Sequence, residues 1–298
     1  MSTRSKTYFI TDTWQLLVNE PWQFLNHYYH FVAELLLGAW AFMYGAFNPA
    51  AGFVQAADSF HTVDPMMSTF NLRPDSYQPP PLSRVIFLHA SSTEWRDKPG
   101  FNSYFLRAAF PSLDMEVSND WNDRANATFV NASTGHPEKA WHFPIALLSD
   151  RSASFRGEVC GSQTQRIAAE AWAYMIKSKG IDVFGQWWTG VRESVYRFAS
   201  VHKEPRVFDA DLPFYDSTID PQSRLPEPKE IIITYINRQG VRRHLIPSNH
   251  DSLVESMEAL VKRKKEEGKN WIFKDVKPER LSKEEQIKLA SETTVRPP

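Results

Sequence analysis

Apolar positions in the first part of the chain predict a buried helix and several strands. Residues 31–47 are apolar at helical spacing, which predicts a helix that faces a core. The short apolar run 85–89 predicts a buried strand, and Leu82 and the run 140–148 predict further strands of one sheet, with a helix over 101–110 between them. This part of the chain is therefore expected to form an α/β domain.

Two more helices are predicted before the chain loses its periodicity. Residues 162–179 place apolar side chains on one helical face, and Gly180 follows as a typical helix end. A second helix is predicted over 187–198. Its neighbours Trp187 and Trp188 point about 100° apart on a helix, so we expect one in the core, while stacking on a sugar ring is the alternative.

Proline-rich segments divide the chain into two predicted domains. Residues 48–83 are rich in Pro, Ser, Asp and Gly and predict a long surface connection. Residues 202–229 carry five prolines and predict a linker. The linker separates an N-terminal α/β domain, residues 1–201, from a C-terminal domain, residues 230–298.

The C-terminal domain has the clearest periodicity in the chain. Strands are predicted over 230–237 and 270–275, each followed by a helix, at 249–267 and at 282–292. Ser282 and Glu285 have the spacing of a capping box at the start of the last helix. The βαβα order predicts a parallel sheet.

Composition and charge exclude several classes of protein. Of 298 residues, 42% are hydrophobic, which suits a globular chain of two domains. The 34 basic and 35 acidic side chains balance, so no overall charge attracts nucleic acid or an acidic membrane. The single cysteine, Cys160, excludes an internal disulfide, and no Cys/His cluster has zinc spacing.

Signals for location along the chain are few. The N-terminus lacks the apolar core of a signal peptide. Glu34 interrupts the apolar stretch 31–47, and because a central carboxylate costs about 2.5 kcal/mol or more in a membrane, we predict a buried helix there and no membrane span. The sequons at Asn126 and Asn131 suit a surface loop in the secretory pathway.

A basic turn follows the predicted strand 230–237 and precedes a polar helix. A helix N-terminus, a glycine turn and guanidinium groups together suit a phosphate or pyrophosphate. The alternative is a solvated turn that binds no ligand. The candidate residues are Arg238, Gly240, Arg242 and Arg243 in the turn and Asn249 at the helix start.

Four candidate residues lie in the N-terminal domain. Asp150 and Arg151 follow a strand predicted over 143–148, where polar groups often bind ligands, and a local ion pair or cap is the alternative. His30 and Glu34 are four residues apart, on one face of the predicted helix. The alternative for His30 is a hydrogen-bonded core group.

Taken in order, these residues resemble the pattern of glycosyltransferase family 61. The matching blocks are Tyr28 to Leu35, Asp150-Arg151, Ile233 to Arg243, Asn249, and Leu281 to Gln286. The resemblance spans about residues 8–295. It implies a GT-B-like architecture of two Rossmann-like domains, with a nucleotide-sugar held mainly by the C-terminal domain and the acceptor near the cleft.

The resemblance also implies an inverting glycosyltransferase that moves a sugar from a UDP-linked donor to a glycan or protein acceptor. Arg238 matches the arginine of the family's Arg-x-Gly turn, and a planar guanidinium suits the donor diphosphate as charge grows on it. Inverting transfer needs a base for the acceptor hydroxyl, and His30, with Glu34 beside it, is the first candidate. No cofactor is expected beyond the donor, no Asp-x-Asp motif stands at a predicted strand end, and metal dependence stays open.

The chain departs from the family pattern at two places. Asn249-His250 stands where the family has Asn-Glu, and a glycine-rich block with a His-Gly pair is expected after the Gln286 helix. Because the chain ends at Pro298, the predicted C-terminal domain is incomplete. Family members reside in the Golgi or endoplasmic reticulum, so the resemblance implies a lumenal location.

Two other functions are kept as alternatives. The first is a non-catalytic or inactive family-61-like fragment that binds a ligand or partner. The second is a generic phosphate-binding α/β protein or a Rossmann-type oxidoreductase, which lacks its main feature because no Gly-x-Gly-x-x-Gly follows a predicted strand.

Overall fold

The chain divides into two compact units. Among the residues that the structure, a computed structural model, describes, those up to Ser194 belong to the first unit and those from Val195 onward to the second. The predicted helix 162–179 and the predicted linker 202–229 lie outside the described residues, so they stay predictions. The described residues are 6–9, 14–43, 81–130, 133, 135, 137–143, 145–151, 154, 186–201, 230–240 and 244–294.

A four-stranded parallel sheet organises the first unit. Its central strand β2 (Trp14–Val18) pairs with β3 (Leu82–Phe87) on one side and with β7 (Ile145–Ser149) on the other, and β4 (Asp114–Glu116) lies beyond β3. All three pairings are parallel. Strand β2 is buried along almost its whole length, as the central strand of a parallel sheet must be. The α/β class predicted for this part of the chain is confirmed.

A smaller sheet corrects one prediction. Strand β6 (Pro137–His142) pairs in parallel with β1 (Lys6–Phe9) and antiparallel with β5 (Phe129–Val130). Residues 140–148 were predicted to belong to one sheet. In the structure they are divided between β6 of the smaller sheet and β7 of the four-stranded sheet. This stretch contains Pro144, which lacks the N–H that a continuous ladder would need.

The helices of the first unit begin with an uncommon geometry. After the one-turn α1 (Trp22–Leu25), residues Tyr29–Leu36 form a π-helix, which continues directly into α2 (Leu37–Met43). The core-facing helix predicted from residue 31 is therefore confirmed as far as Met43. Further helices are α3 (Phe101–Ala109), as predicted, and α4 (Ser118–Ala127), which was not predicted. Helix α5 (Gln186–Phe198) confirms the helix predicted over 187–198, and the boundary between the two units falls within it, after Ser194.

Aromatic contacts join these helices to the sheet. The Phe31 ring on the π-helix lies 5.8 Å from that of Phe87 on β3, which in turn stacks on Trp95 at 5.2 Å. Contacts of this kind add about 0.5–1.5 kcal/mol each beyond the area they bury. Trp188 of α5 is partly buried and stacks near Phe105 of α3. The Trp187 side chain lies outside the described part of the chain, so the expectation that one of the two is in the core stays a prediction.

The second unit contains the predicted βαβα order. Strands β8 (Ile231–Ile236) and β9 (Trp271–Val276) pair in parallel, with α6 (Pro247–Glu266) between them in sequence. A one-turn 3-10 helix (Pro278–Arg280) precedes α7 (Lys283–Glu292). The Ser282 hydroxyl accepts the Glu285 N–H at 3.1 Å and the Glu285 carboxylate accepts the Ser282 N–H at 2.7 Å, which confirms the capping box.

The structure bears on two expectations from the sequence, the absence of a membrane span and the surface position of the sequons. Within the described part of the chain, each helix is either too short or too polar to cross a lipid bilayer. Asn126 of the first sequon is exposed, but it lies in the last turn of α4 and not in a loop as expected, and Asn131 of the second lies outside the described residues.

We expect Gly38→Ala to destabilise the first unit. A Cβ on Gly38 of α2 would overlap the carbonyl group of Ser154, whose N–H is bonded to Asp150 just after β7. Alanine normally stabilises a helix relative to glycine, but overpacking of this kind costs about 1–3 kcal/mol. Urea unfolding followed by tryptophan fluorescence measures the change.

Gly190→Ala in α5 is the matched control. Among the described residues, no heavy atom lies within 4 Å of a Cβ built there, so the variant is expected to be more stable by about 0.5–1 kcal/mol. Equal effects of the two substitutions would show that the contact with Ser154 is unimportant.

Candidate functional site

Polar side chains gather at the carboxyl edge of the four-stranded sheet. Glu20 follows β2, His89 follows β3, and Asp150 and Arg151 follow β7 directly. Because the strands are parallel, with Val18 aligned to both Phe87 and Ser149, these positions share one edge. Ligands of open α/β sheets bind beyond this edge.

A buried carboxylate lies at the centre of the cluster. Glu34 is fully buried, and its Oε2 lies 2.6 Å from His30 Nδ1 and 3.4 Å from Arg151 Nη1. Its other oxygen, Oε1, is buried without a hydrogen-bond partner among the described residues. Burial of a carboxylate is costly without such partners, so the cation and the imidazole are required to hold Glu34 in place.

Arg151 lies between two buried carboxylates. Its backbone N–H donates to Glu20 Oε2 at 2.7 Å, and its Nε lies 3.9 Å from Glu20 Oε1. The guanidinium also sits 4.2 Å over the ring of Phe24, a favourable cation–π geometry. Arg151 thus links Glu20 after β2 with Glu34 on the π-helix. These ion pairs join distant parts of the chain, whereas the alternative considered from the sequence was a local ion pair or cap.

His30 is held in one orientation but reaches the surface. An ionised Glu34 can only accept a hydrogen bond, so Nδ1 of a neutral His30 carries the proton and Nε2 carries the lone pair. The side chain keeps 22% of its surface exposed. The rings of Phe24, His27 and Tyr29 lie around it at 5.8, 4.8 and 5.7 Å. This arrangement leaves Nε2 as the nitrogen that can exchange a proton with a ligand.

The π-helix places this pair on one backbone segment. His30 and Glu34 both lie within Tyr29–Leu36, and their four-residue spacing brings the side chains into contact. π-Helical turns are rare and are often found at functional sites. The sequence spacing predicted the contact, whereas the wider helix is not visible in the pattern.

Two neighbouring groups have shifted pKa values. Burial raises the pKa of the Glu20 carboxyl, and the nearby Asp150 and Glu34 charges act in the same direction, while the Arg151 N–H and guanidinium oppose the shift. Burial and the adjacent His30 lower the pKa of His27. Both shifts favour uncharged forms, as expected at a partly dry edge.

The basic turn of the second unit is built on a buried asparagine. Asn237 follows β8, donates from Nδ2 to Asp275 at 3.2 Å, and accepts the Gln239 N–H at 3.0 Å through Oδ1. This local bond fixes the turn, and Arg238 is exposed on it. The predicted placement of Arg238 at a strand end is therefore confirmed.

Other parts of the predicted anion site are weaker than expected. Gly240 does not have a left-handed conformation, and among the described residues a Cβ there would meet only Glu279 Oε1, at the ordinary distance of 3.5 Å. Helix α6 begins at Pro247, before the predicted residue 249, and proline has no N–H to offer an anion. The exposed Asn249 donates its N–H to the Ile246 carbonyl at 3.0 Å. Arg242 and Arg243 lie outside the described residues.

His250, which departs from the family pattern, has a partner within the second unit. Its Nδ1 lies 3.2 Å from the hydroxyl of the buried Tyr235 on β8. The two rings are 5.6 Å apart. His250 therefore packs on the sheet beside the basic turn.

Sequence reasoning missed Glu20 and the pairing of Asn19 with His89. His89 Nε2 lies 2.8 Å from Asn19 Oδ1. Both Asn19 and Glu20 come directly after Trp14–Val18, a strand that was not predicted. Had that apolar run been interpreted as a strand, the two polar residues after it would have indicated a site.

Comparisons with protein-family models, with curated proteins and with solved structures gave no match. In the described part of the chain, no group of three or more His, Cys, Asp or Glu side chains is arranged to hold a metal ion.

We expect Arg151→Leu to destabilise the chain strongly. Removal of the cation leaves the buried carboxylates of Glu20 and Glu34 without their shared partner, and breaking a buried pair in this way costs about 3–5 kcal/mol. Urea unfolding provides the measurement. Arg192→Leu is the control, because Arg192 pairs with Glu193 where both side chains are 41% exposed, and it should cost less than about 1 kcal/mol. Similar losses for both variants would contradict the importance of the buried cluster.

Glu20 should make stability depend on pH. Its pKa is raised in the folded state from the ordinary 4.5, so the folded protein holds the Glu20 proton more tightly than the unfolded chain does. The associated stability is present below pH 4.5 and is lost as pH rises through the folded-state pKa. The unfolding free energy of the native protein minus that of Glu20→Gln, measured between pH 4 and 8, should fall with rising pH and then level off. A flat difference over this range would contradict the assignment.

Proposed function

We propose that the protein is an inverting glycosyltransferase, which moves a sugar from a UDP-linked donor to a glycan or protein acceptor. The observation that carries this proposal is the contact between His30 Nδ1 and the buried Glu34 carboxylate, with Arg151 beside it, at the carboxyl edge of a parallel sheet. A partly exposed imidazole backed by a buried carboxylate is the arrangement that general-base catalysis uses.

The proposed base acts through Nε2 of His30. Nε2 takes the proton of the acceptor hydroxyl while the hydroxyl oxygen attacks the anomeric carbon of the donor. The bond from that carbon to the nucleoside diphosphate breaks, and its electron pair leaves with the diphosphate. Glu34 accepts the Nδ1–H throughout and stabilises the imidazolium that forms.

The leaving diphosphate is the second part of the proposal. Arg238 is exposed on the turn that Asn237 fixes, and a guanidinium can donate two parallel hydrogen bonds to phosphate oxygens. Negative charge grows on the diphosphate as the glycosidic bond breaks, so a fixed cation lowers the barrier. Gly240 and Asn249 are assigned to the same donor site.

The remaining features of the proposal come from the family resemblance. The first unit would hold the acceptor, with Asp150 and Arg151 lining its site, and the second would hold the donor, as in a GT-B-like pair of Rossmann-like domains. A lumenal location in the Golgi or endoplasmic reticulum belongs to the same proposal, and the sequon at the exposed Asn126 is in keeping with it.

A second function, binding without transfer, is favoured by one observation. His250 is bonded to Tyr235 where the family pattern has a glutamate, and the α6 start offers few N–H groups to an anion. A donor site with these features would hold a nucleotide more weakly. A non-catalytic protein that binds a ligand or partner is therefore the alternative that the experiment must separate from a transferase.

Donor binding and turnover are measured separately. The chain is incubated with a panel of UDP- and GDP-sugars, and both the melting temperature and the release of nucleoside diphosphate to water are recorded. We expect UDP or one UDP-sugar to raise the melting temperature, and Arg238→Ala to abolish this shift. His30→Gln should keep the shift and reduce diphosphate release by about 100-fold or more.

Arg263→Ala is the matched control, because Arg263 is an exposed arginine near the far end of α6 and should leave both readouts unchanged. Nucleotide binding without release, insensitive to His30→Gln, would replace the transferase proposal with the binding alternative. The absence of both binding and release across the panel would overturn the transferase proposal and favour the non-catalytic alternative.

A further inference from the structure

Glu20 is a buried carboxylate near the proposed base that takes no part in the proposed reaction. It is 6% exposed and contacts neither His30 nor Glu34 in the hydrogen-bond pattern of the described residues. Its two oxygens approach Arg151 at different points, the backbone N–H at 2.7 Å and the guanidinium Nε at 3.9 Å. The contacts of Glu20 with the site are therefore made with Arg151, and its charge also repels that of Glu34 directly.

The Arg151 guanidinium lies between two carboxylates and is closer to Glu34 than to Glu20. Nη1 lies 3.4 Å from Glu34 Oε2, which is longer than an ordinary charged hydrogen bond, and Nε lies 3.9 Å from Glu20. Neither carboxylate has drawn the cation into a short bidentate pair. The ring of Phe24, 4.2 Å from the guanidinium carbon, supports it in this intermediate position.

Glu34 Oε2 consequently has two partners that compete for it. His30 Nδ1 is much closer, at 2.6 Å, than Arg151 Nη1. A cation that moved closer to Glu34 would neutralise more of its charge and weaken its hold on the imidazole. The position of Arg151 thus controls how strongly Glu34 supports a proton on His30.

We propose that Glu20 is a positioning residue for the His30–Glu34 pair, because it draws the Arg151 guanidinium away from Glu34 and so leaves the Glu34 charge available to His30. The effect of Glu20 on catalysis rests on the proposed function. Its effect on the ionisation of His30 does not, and can be tested separately. Loss of the Glu20 charge would let Arg151 close on Glu34.

Several other ionisable groups surround this cluster and act on it. The His27 ring lies 4.8 Å from the His30 ring, and His27 is itself influenced by Glu34 and Asp97. Asp150 acts electrostatically on Glu20. A Glu20 substitution leaves all of these groups in place, so a change in His30 reports the loss of the Glu20 charge together with any shift of Arg151 that follows from it.

The test follows the His30 ring directly in the full chain. Nitrogen-15 spectra of the histidine rings are recorded between pH 4 and 9, and His30→Gln identifies the His30 signals. In Glu20→Gln we expect the His30 titration midpoint to fall by about half a pH unit, because Arg151 then neutralises more of the Glu34 charge that supports a proton on His30. Glu20→Asp, which keeps the charge, should move the midpoint back toward that of the native protein.

Glu193→Gln is the control for removal of a carboxylate from the same unit, because Glu193 is exposed and paired with Arg192. It should leave the His30 midpoint unchanged. A His30 midpoint that stays constant or rises in Glu20→Gln, or one that falls equally in Glu193→Gln, overturns the proposal.

Activity adds a second readout that separates the two proposals. If donor hydrolysis occurs, the acidic limb of its kcat/KM profile should shift to lower pH in Glu20→Gln, in parallel with the His30 midpoint. A shifted midpoint in a protein that releases no nucleotide would support the positioning role of Glu20 while rejecting the transferase. An unshifted His30 midpoint in an active enzyme would support the transferase and reject the positioning role of Glu20.

Discussion

The first unit depends on the burial of one carboxylate. Glu34 is in the helix that packs on the sheet, with no exposed surface, and an isolated charge there would be prohibitively costly. Its partners come from two places, His30 one turn earlier and Arg151 after β7. The core can close around Glu34 only when both are in position. Assembly of the candidate site is therefore a condition for folding of the first unit.

The clarity of local periodicity decided how much of the fold could be predicted. The βαβα unit was predictable because β8, α6, β9 and α7 each carry one clear period and a turn signal. Strand β2 was missed because it is buried on both faces and shows no alternation, so its five residues resemble any apolar stretch. Strands β4 and β5, of three and two residues, are too short to show a period at all.

The candidate site was predictable residue by residue but not as an assembly. The spacing of His30 and Glu34 is local, and it correctly indicated their contact. The meeting of Arg151 with Glu34 depends on the pairing of β2 with β7, which no local pattern contains. Glu20 was not identified as a site residue because the strand that precedes it, β2, was not predicted from the sequence. In the second unit, the sequence correctly placed Arg238 in the turn after a strand, whereas Gly240 in the same turn has no conformational need that the structure reveals.

The parallel pairing of β2 with β7 has a consequence for synthesis of the chain. Trp14 of β2 aligns with Ile145 of β7. During synthesis β2 therefore leaves the ribosome long before β7, and this pairing cannot form until β7 has been made. During that interval Glu20 and Glu34 have been made but Arg151 has not, and the apolar helix that carries Glu34 has no cation to accompany it inward. Long-range parallel pairing of this kind folds slowly and leaves apolar segments exposed in the meantime. A nascent chain that stops before residue 151 contains the proposed base and its carboxylate, yet it lacks the group that allows them to be buried.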